Sequence, residues 1–130
     1  MRQQGITALV NLGGDVVATG PRHRGEAWLV GVESGRPDDE DGPGATELRA
    51  GALATSGDTE RYVIVDGERR GHILDPRTGW PLRGAPRLVT VYAETCTTAG
   101  ALAQLAMLSE ADAERFLEKE GVEHWCIWNR

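Results

Sequence analysis

The sequence predicts an α+β fold, in which a mainly antiparallel sheet carries helices packed on one face. Short apolar runs separated by turn residues fill roughly the first two thirds of the chain, which is typical of β-strands. Asp66-Gly67 lies between two of these runs and is a strong β-hairpin signal. Helical spacing begins only near Thr97. Helices grouped after the strands, rather than alternating with them, indicate the α+β class.

Length and composition are those of one domain, which we place at residues 1–130. Of the 130 residues, 40% are hydrophobic, enough for a single core. No apolar run approaches the roughly 18 residues of a membrane-spanning helix. The start Met1-Arg2-Gln3-Gln4 leads into a strand-like run rather than a secretory apolar segment. We therefore expect a soluble, cytoplasmic chain without a signal peptide.

The net charge argues against two classes of partner. A formal charge of −6 and a pI near 5.0 disfavour nucleic acid and anionic membranes, both of which require a basic surface. A phosphate-bearing ligand would need a metal ion or backbone amides to neutralise it. Cys96 and Cys126 match no metal-binding spacing, and we expect free thiols in a reducing compartment, with a disulfide as the alternative.

Turn residues divide the first half of the chain into strands. We predict strands at residues 6–12, 16–18, 27–33 and 47–54, with Gly13-Gly14-Asp15 as the first break. The Thr55-Ser56-Gly57 segment is predicted to be a loop. Residues 34–46 contain three glycines, two prolines and four consecutive acidic residues. We expect an exposed loop there, and a solvated charge run is favoured over a metal site.

The second half begins with a predicted hairpin. Residues 61–65 and 70–74 flank its turn, so His72 is expected on a strand near the sheet edge, before the Pro76-Arg77-Thr78-Gly79 turn. Residues 87–93 are predicted to form another strand.

Two helices and a final strand are predicted to complete the fold. Residues 97–108 have helical spacing, with an apolar face that contains Leu102, Leu105, Ala106 and Leu108. Ser109 is expected to be the N-cap of a second helix that Gly121 ends. The apolar stripe of that helix is Ala113, Phe116 and Leu117, and residues 122–128 are the last strand.

Four blocks in this sequence carry a resemblance to a known family. They are Asn11-Leu12-Gly13-Gly14-Asp15, Ala54-Thr55-Ser56-Gly57-Asp58, His72-Ile73-Leu74-Asp75-Pro76-Arg77-Thr78-Gly79-Trp80-Pro81 and Leu88-Val89-Thr90-Val91-Tyr92-Ala93. Polar groups at strand ends usually face a ligand rather than a core. In order and spacing, the blocks resemble the FAD:protein FMN transferases, or ApbE-type flavin transferases. The resemblance implies the C-terminal part of the flavin-transferase fold.

The resemblance also implies a reaction and a catalytic residue. FMN would pass from FAD to a threonine or serine hydroxyl of an acceptor protein, and AMP would leave. Such a transfer needs a proton acceptor and a divalent ion, Mg²⁺ in this family. His72 matches the family's His-Ile-x-Asp-Pro histidine, and an imidazole suits proton transfer near neutral pH. The alternative is a structural histidine that is hydrogen-bonded within the hairpin.

Further site residues follow from the same motifs. Asp75 has two interpretations: it initiates a turn before Pro76, which is slightly favoured, or it orients His72 or the ligand. The resemblance implies contacts to flavin or phosphate from residues in the glycine turn, the hydroxyl loop and the segment after it: Gly14, Asp15, Thr55, Ser56, Gly57 and Arg61.

One family motif is altered. The family's helix start reads Ala-Asp-Ala-Leu-Ala-Thr, and its aspartate and threonine bind magnesium. Here the matching residues run from Ala99 to Gln104, with Gly100 at the aspartate and Gln104 at the threonine. Gln104 offers one neutral oxygen as a metal ligand, whereas Mg²⁺ prefers carboxylates. Two interpretations follow: a flavin transferase that uses FAD and Mg²⁺, or a degenerate domain that binds a flavin or a partner without turnover.

The matched blocks correspond only to the C-terminal portion of a typical family member. In relatives, the N-terminal portion helps to enclose the flavin. A third interpretation is therefore one piece of a split enzyme, completed by an N-terminal partner chain or by a homodimer. An exposed apolar surface where the missing portion would dock is the expected sign of this arrangement.

Overall fold

The computed structural model describes residues 5–32, 44–57 and 61–128. Within these ranges the chain forms nine strands and two α-helices. The strands are β1 Leu9–Leu12, β2 Asp15–Ala18, β3 Trp28–Gly31, β4 Ala45–Leu48, β5 Gly51–Gly57, β6 Tyr62–Val65, β7 Glu68–Gly71, β8 Leu88–Ala93 and β9 His124–Ile127; the helices are α1 Cys96–Leu108 and α2 Ala113–Glu120. The predicted acidic loop lies mostly outside the described residues, and its last two residues, Ala45 and Thr46, begin β4.

Five strands form the main sheet, in the order β1-β2-β5-β8-β9, and every neighbouring pair is antiparallel. Strands β3 and β4 form a separate two-stranded sheet, and so do β6 and β7. Helix α1 packs against β5 and β8, while α2 packs against α1 and β9. The predicted α+β class is therefore confirmed. Neither helix has the length and hydropathy of a membrane-spanning segment, and no other described helix does.

Small side chains bring α1 close to the sheet. The predicted face contained Leu105, yet that side chain is 48% exposed. The side chains that α1 buries are those of Ala99, Ala103, Ala106 and Met107. This correction has a packing reason, because alanines let the helix backbone lie close to β5 and β8. The core beneath α1 and α2 includes Ile73, Val89, Val91 and Leu117.

The junction between the helices differs from the prediction. Ser109 ends α1 instead of capping α2, because its hydroxyl donates a hydrogen bond to the Leu105 carbonyl at 2.9 Å. Glu110 follows with a positive φ of 50° and opens a short 3₁₀ turn. Helix α2 starts only at Ala113. It ends at Gly121, as predicted, with a left-handed φ of 66°.

The predicted strand at residues 47–54 is two strands. A turn at Arg49 and Ala50 separates β4 from β5, which begins at Gly51 with a φ of 98°. The predicted loop Thr55-Ser56-Gly57 is instead the end of β5, and Gly57 pairs with Leu88. Sheet pairing continues this far because Gly57 has no side chain. A Cβ there would lie 2.3 Å from the Arg87 carbonyl oxygen.

The predicted hairpin forms, but it stands apart from the main sheet. Asp66 and Gly67 both have positive φ, 53° and 77°, as a type I′ turn requires. His72 follows the end of β7 rather than lying within a strand, because pairing ends at Tyr62 and Gly71. All four side chains of β6 are exposed, between 45% and 61%. The hairpin therefore presents an uncovered apolar strand.

Candidate functional site

A cavity of about 270 Å³ lies where the β1–β2 turn, the end of β5 and the base of the hairpin meet α1. It brings together seven of the nine predicted catalytic, cofactor-binding and metal-binding residues, from separate parts of the chain. The described lining consists of Gly13, Gly14, Thr55, Ser56, Gly57, Arg61, His72, Ile73, Leu88 and Gln104. Asp15 and Asp75 are not among these lining residues.

The β1–β2 turn contributes accessible backbone to the lining of the cavity. The side chain of Asn11 accepts a hydrogen bond from the Gly14 amide at 3.0 Å, which fixes the turn. Gly13 and Gly14 have φ values of 66° and 102°, and a Cβ at either position would meet nothing within 4 Å. A ligand can therefore approach the backbone closely here. Asp15 begins β2 and is exposed.

The end of β5 contributes two hydroxyls. Thr55 Oγ1 lies 2.8 Å from Thr90 Oγ1 on β8, and Thr90 is only 3% exposed. Ser56 Oγ donates a long, 3.4 Å hydrogen bond to Gln104 Oε1, which links β5 to α1. Sequence reasoning gave Thr90 no role in the site. The sequence feature that could have indicated Thr90 is a threonine between two valines in β8.

His72 lies at the base of the hairpin. Its Nδ1 is 3.1 Å from the backbone carbonyl oxygen of Arg61, the residue just before β6. Because a carbonyl oxygen only accepts, Nδ1 must carry a proton for this hydrogen bond. In the neutral ring, Nε2 is then the proton acceptor. The contact is the hydrogen bond within the hairpin that the structural alternative anticipated, and it also leaves Nε2 available for chemistry.

Asp75 is engaged in a turn. Its carboxylate accepts hydrogen bonds from the Arg77 backbone amide and from the guanidinium Nε, both at 2.9 Å. These bonds and the charge of Arg77 hold the pKa of Asp75 below its usual range. The Asp75 carbonyl accepts from the Gly79 amide at 2.7 Å. Asp75 and Trp80 both line a second cavity, of about 810 Å³. The hydrogen bonds of Asp75 are those of the favoured interpretation, in which this residue initiates a turn.

The donor set does not fit the magnesium ion that the resemblance implies. None of the described residues that line the 270 Å³ cavity is an aspartate or glutamate. No three His, Cys, Asp or Glu side chains within residues 5–32, 44–57 and 61–128 are grouped to hold a metal. Gln104 supplies only an amide, and Gly100 has no side chain. A Cβ at Gly100 would have Ala54 Cβ as its nearest neighbour, at 3.8 Å.

The two cysteines are free thiols, as predicted. Burial raises the pKa of Cys126 to about 11. Burial, with a smaller contribution from the charge of Asp15, raises the pKa of Cys96. Both thiols therefore stay protonated near neutral pH, so neither is a suitable nucleophile or metal ligand.

Comparison with known proteins gives consistent matches. Residues 1–126 match the ApbE family. The chain is 30% identical over 131 residues to an FAD:protein FMN transferase of Klebsiella pneumoniae, covering 98% of this chain and 37% of that protein. It is 36% identical over 104 residues to one of Vibrio cholerae, covering 79% and 31%. The chain thus spans well under half the length of these relatives.

Solved structures share the fold. The ApbE protein of Thermotoga maritima has 40% identity and a TM-score of 0.80, over 92% of this chain and 39% of that one. The flavin transferase ApbE of Vibrio cholerae has 29% identity and a TM-score of 0.76, over 99% and 41%. The described sheet and helices therefore correspond to a portion of a larger fold.

Proposed function

Because this chain belongs to the ApbE family, we propose that it carries the flavin-nucleotide site of an FAD:protein FMN transferase. The site would deliver FMN from FAD to a threonine or serine hydroxyl of an acceptor protein. The single observation that carries the proposal is the 270 Å³ cavity. It gathers residues as distant as Gly14, Ser56, His72 and Gln104 around one open space. Neutral polar groups and a glycine turn around such a space suit a ligand that presents both rings and phosphate.

His72 is the proposed proton acceptor. The acceptor hydroxyl gives its proton to Nε2, its oxygen forms a bond to the FMN phosphorus, and the bond from that phosphorus to the bridging oxygen breaks. The electron pair of the broken bond leaves with AMP. The Arg61 carbonyl keeps the proton of the neutral ring on Nδ1 and fixes the ring, which leaves Nε2 as the nitrogen that accepts a proton. Magnesium would neutralise pyrophosphate charge when bound, but the described donor set does not fit it, and no step here depends on it.

A second candidate is flavin binding without turnover. Gly100 favours it, because the position that matches the family's aspartate has no side chain. A domain that keeps the cavity but lacks the means to stabilise charge on the leaving AMP would bind flavin and stop there. The two candidates share ligand binding and differ in whether AMP is released.

Further polypeptide is proposed to complete the pocket. The chain spans 37% of the Klebsiella relative, and all of β6 is exposed. An uncovered two-stranded ribbon is marginally stable in water, so a covering surface would stabilise the hairpin that holds Arg61 and His72. We propose that the portion of the family fold that lies N-terminal to these blocks in relatives supplies this cover. A second copy of this chain is the competing arrangement, and the molecular mass in solution distinguishes them.

FAD titration of the folded chain, followed by flavin fluorescence, tests the proposed function. We expect saturable binding in the parent and comparable binding in His72→Asn, whose amide can still donate to the Arg61 carbonyl. With an acceptor polypeptide present, AMP release in the parent and a loss of roughly 10²–10⁴-fold in His72→Asn would identify a general base. Binding without AMP release in the parent would select the non-catalytic candidate. If neither protein bound FAD, the flavin site would be wrong.

A further inference from the structure

Among the described residues that line the cavity, the charged groups are those of an anion site rather than a cation site. The charged or ionisable side chains in its described lining are Arg61 and His72. The remaining polar side chains there, Thr55, Ser56 and Gln104, are neutral. Hard divalent ions select carboxylate oxygens in compact geometry, which these residues do not supply.

Arg61 is well suited to bind a phosphate. A guanidinium stays charged at all physiological pH values and offers five N–H donors in a planar fork that matches phosphate oxygens. Two weaker donors lie in the same cavity: the Gln104 amide and the Ser56 hydroxyl, whose 3.4 Å bond to Gln104 is long enough to be exchanged for a ligand. A phosphate monoester carries about −1.5 to −2 charges near neutral pH, so one guanidinium offsets at least about half of this charge and the neutral donors can bind the remaining oxygens.

The segment that begins at Arg61 has more arginines than carboxylates. Residues 61–87 contain six arginines and three carboxylates, whereas the whole chain has a net charge of −6. One of those carboxylates, Asp75, is paired with Arg77. Residues 61–87 therefore carry a net formal charge of +3 in an acidic chain, and Asp58 and Glu60 come directly before them.

We infer that the cavity binds the phosphate of a flavin nucleotide through Arg61, without a divalent metal ion. The inference rests on the proposed function, because it assumes that flavin nucleotides occupy this cavity. It departs from the magnesium-dependent chemistry that the family resemblance implies, and the reason is the altered donor set at Gly100 and Gln104.

Isothermal titration of the full chain with FMN and with riboflavin, each in EDTA and in MgCl₂, tests the inference. FMN should bind with the same Kd in both buffers, within about twofold, and more tightly than riboflavin. Arg61→Gln should weaken FMN binding about tenfold or more and leave riboflavin binding unchanged. Arg115→Gln is the matched control, because Arg115 lies on α2 in an exposed ion pair with Asp112 and should change neither Kd.

A converse variant tests the altered donor set directly. Gly100→Asp places a carboxylate one helical turn before Gln104, where the nearest atom to a Cβ is 3.8 Å away. It should make FMN binding at least about tenfold tighter in MgCl₂ than in EDTA, a dependence that the parent lacks. If the Kd of Gly100→Asp for FMN were the same in MgCl₂ and in EDTA, the missing carboxylate at position 100 would not be the reason for metal-free binding.

The outcomes separate the two proposals. FMN binding by the parent only in MgCl₂ would overturn the metal-free inference and leave the flavin site standing. Equal Kd values for FMN and riboflavin in EDTA would also overturn it, since the phosphate would then contribute nothing. Absence of binding for both ligands in both buffers, by a chain shown to be folded from its circular dichroism, would overturn the proposed function itself.

Discussion

The Nδ1 atom of His72 lies 3.1 Å from the backbone carbonyl oxygen of Arg61, one residue beyond the last pair of the β6–β7 hairpin. Backbone pairing between β6 and β7 ends at Tyr62 and Gly71. The His72 side chain therefore adds one further hydrogen bond between the two arms of the hairpin, just beyond the last backbone pair. The same hydrogen bond selects the protonation state of the ring. The hairpin thus determines which nitrogen of the neutral His72 ring carries the proton.

The neutral imidazole of His72 should therefore be the Nδ1–H tautomer. Nitrogen-15 chemical shifts of the ring, measured above neutral pH, report this directly. His124 should give the same tautomer, because its Nδ1 lies 2.8 Å from the Val122 carbonyl oxygen. His23 makes no such ring contact among the described residues and is the internal reference. An Nε2–H signal from His72 would contradict the proposed role of Nε2 as proton acceptor.

Two glycines should respond in opposite ways to alanine. Gly57→Ala should destabilise the protein by about 1–3 kcal/mol, because its Cβ would lie 2.3 Å from the Arg87 carbonyl oxygen and 2.4 Å from a methyl group of Leu88. Gly100→Ala should stabilise it by about 0.5–1 kcal/mol, because the site is inside α1 and its nearest neighbour is 3.8 Å away. Urea denaturation measures both free energies of unfolding. If both substitutions changed the free energy of unfolding equally, the close approach of β8 to Gly57 would not be needed for stability.

The Thr55–Thr90 hydroxyl pair should give an asymmetric response to valine. Thr55→Val leaves the Thr90 hydroxyl buried, at 3% exposure, without its partner, and should cost about 1–3 kcal/mol. Thr90→Val leaves the less buried Thr55 hydroxyl able to reach water, so we expect a loss under about 1 kcal/mol. The double variant should cost less than the sum of the single variants, as in a coupled pair. Additive losses in urea denaturation would contradict the coupling.

Local sequence signals predicted the elements whose geometry is determined locally. Asp66-Gly67 specified the hairpin because few other pairs tolerate two consecutive positive φ values. Gly121 ended α2 for the same kind of reason. These are properties of one turn and its immediate neighbours, and they need no knowledge of the rest of the fold.

The sequence prediction was wrong where contacts with residues outside the local segment determine the conformation. Thr55-Ser56-Gly57 has loop composition, but β8 pairs with it from more than 30 residues away in the sequence. Ser109 is a good N-cap residue by type, yet its hydroxyl bonds back to α1. The gathering of the site residues in one cavity was implied by the family resemblance, because no local propensity places the Gly14 turn beside Gln104.

The two thiols should react slowly in the folded protein. A pKa of about 11 leaves Cys126 with roughly a thousandth of its thiols ionised at pH 8, against about a quarter for an unperturbed cysteine. We expect its reaction with a disulfide reagent to be slowed by about two orders of magnitude and to rise about tenfold per pH unit up to its pKa. The single variants Cys96→Ser and Cys126→Ser assign the two rates. A rate for Cys126 that is equal in native and urea-unfolded protein would contradict the burial.

The Asp75–Arg77 pair should make stability depend on pH in the acid range. Arg77 lowers the folded-state pKa of Asp75 below the ordinary 3.8, so ionised Asp75 favours the folded state. This contribution is fully present above the ordinary pKa and is lost as the pH falls through the lowered folded value. Asp75→Asn keeps an oxygen that can accept from the Arg77 amide but removes the charge. Its melting temperature should therefore be below that of the parent at neutral pH.

The difference in melting temperature between parent and Asp75→Asn should shrink as the pH falls below the ordinary pKa of 3.8. Thermal unfolding followed by circular dichroism across the acid range measures it. Asp112→Asn is the matched control, because its ion pair with Arg115 is exposed and such pairs contribute little to stability. A difference that stayed constant from neutral to acid pH would mean that Asp75→Asn acts on the turn geometry. The charge of Asp75 would then have no part in stabilising the segment that follows His72.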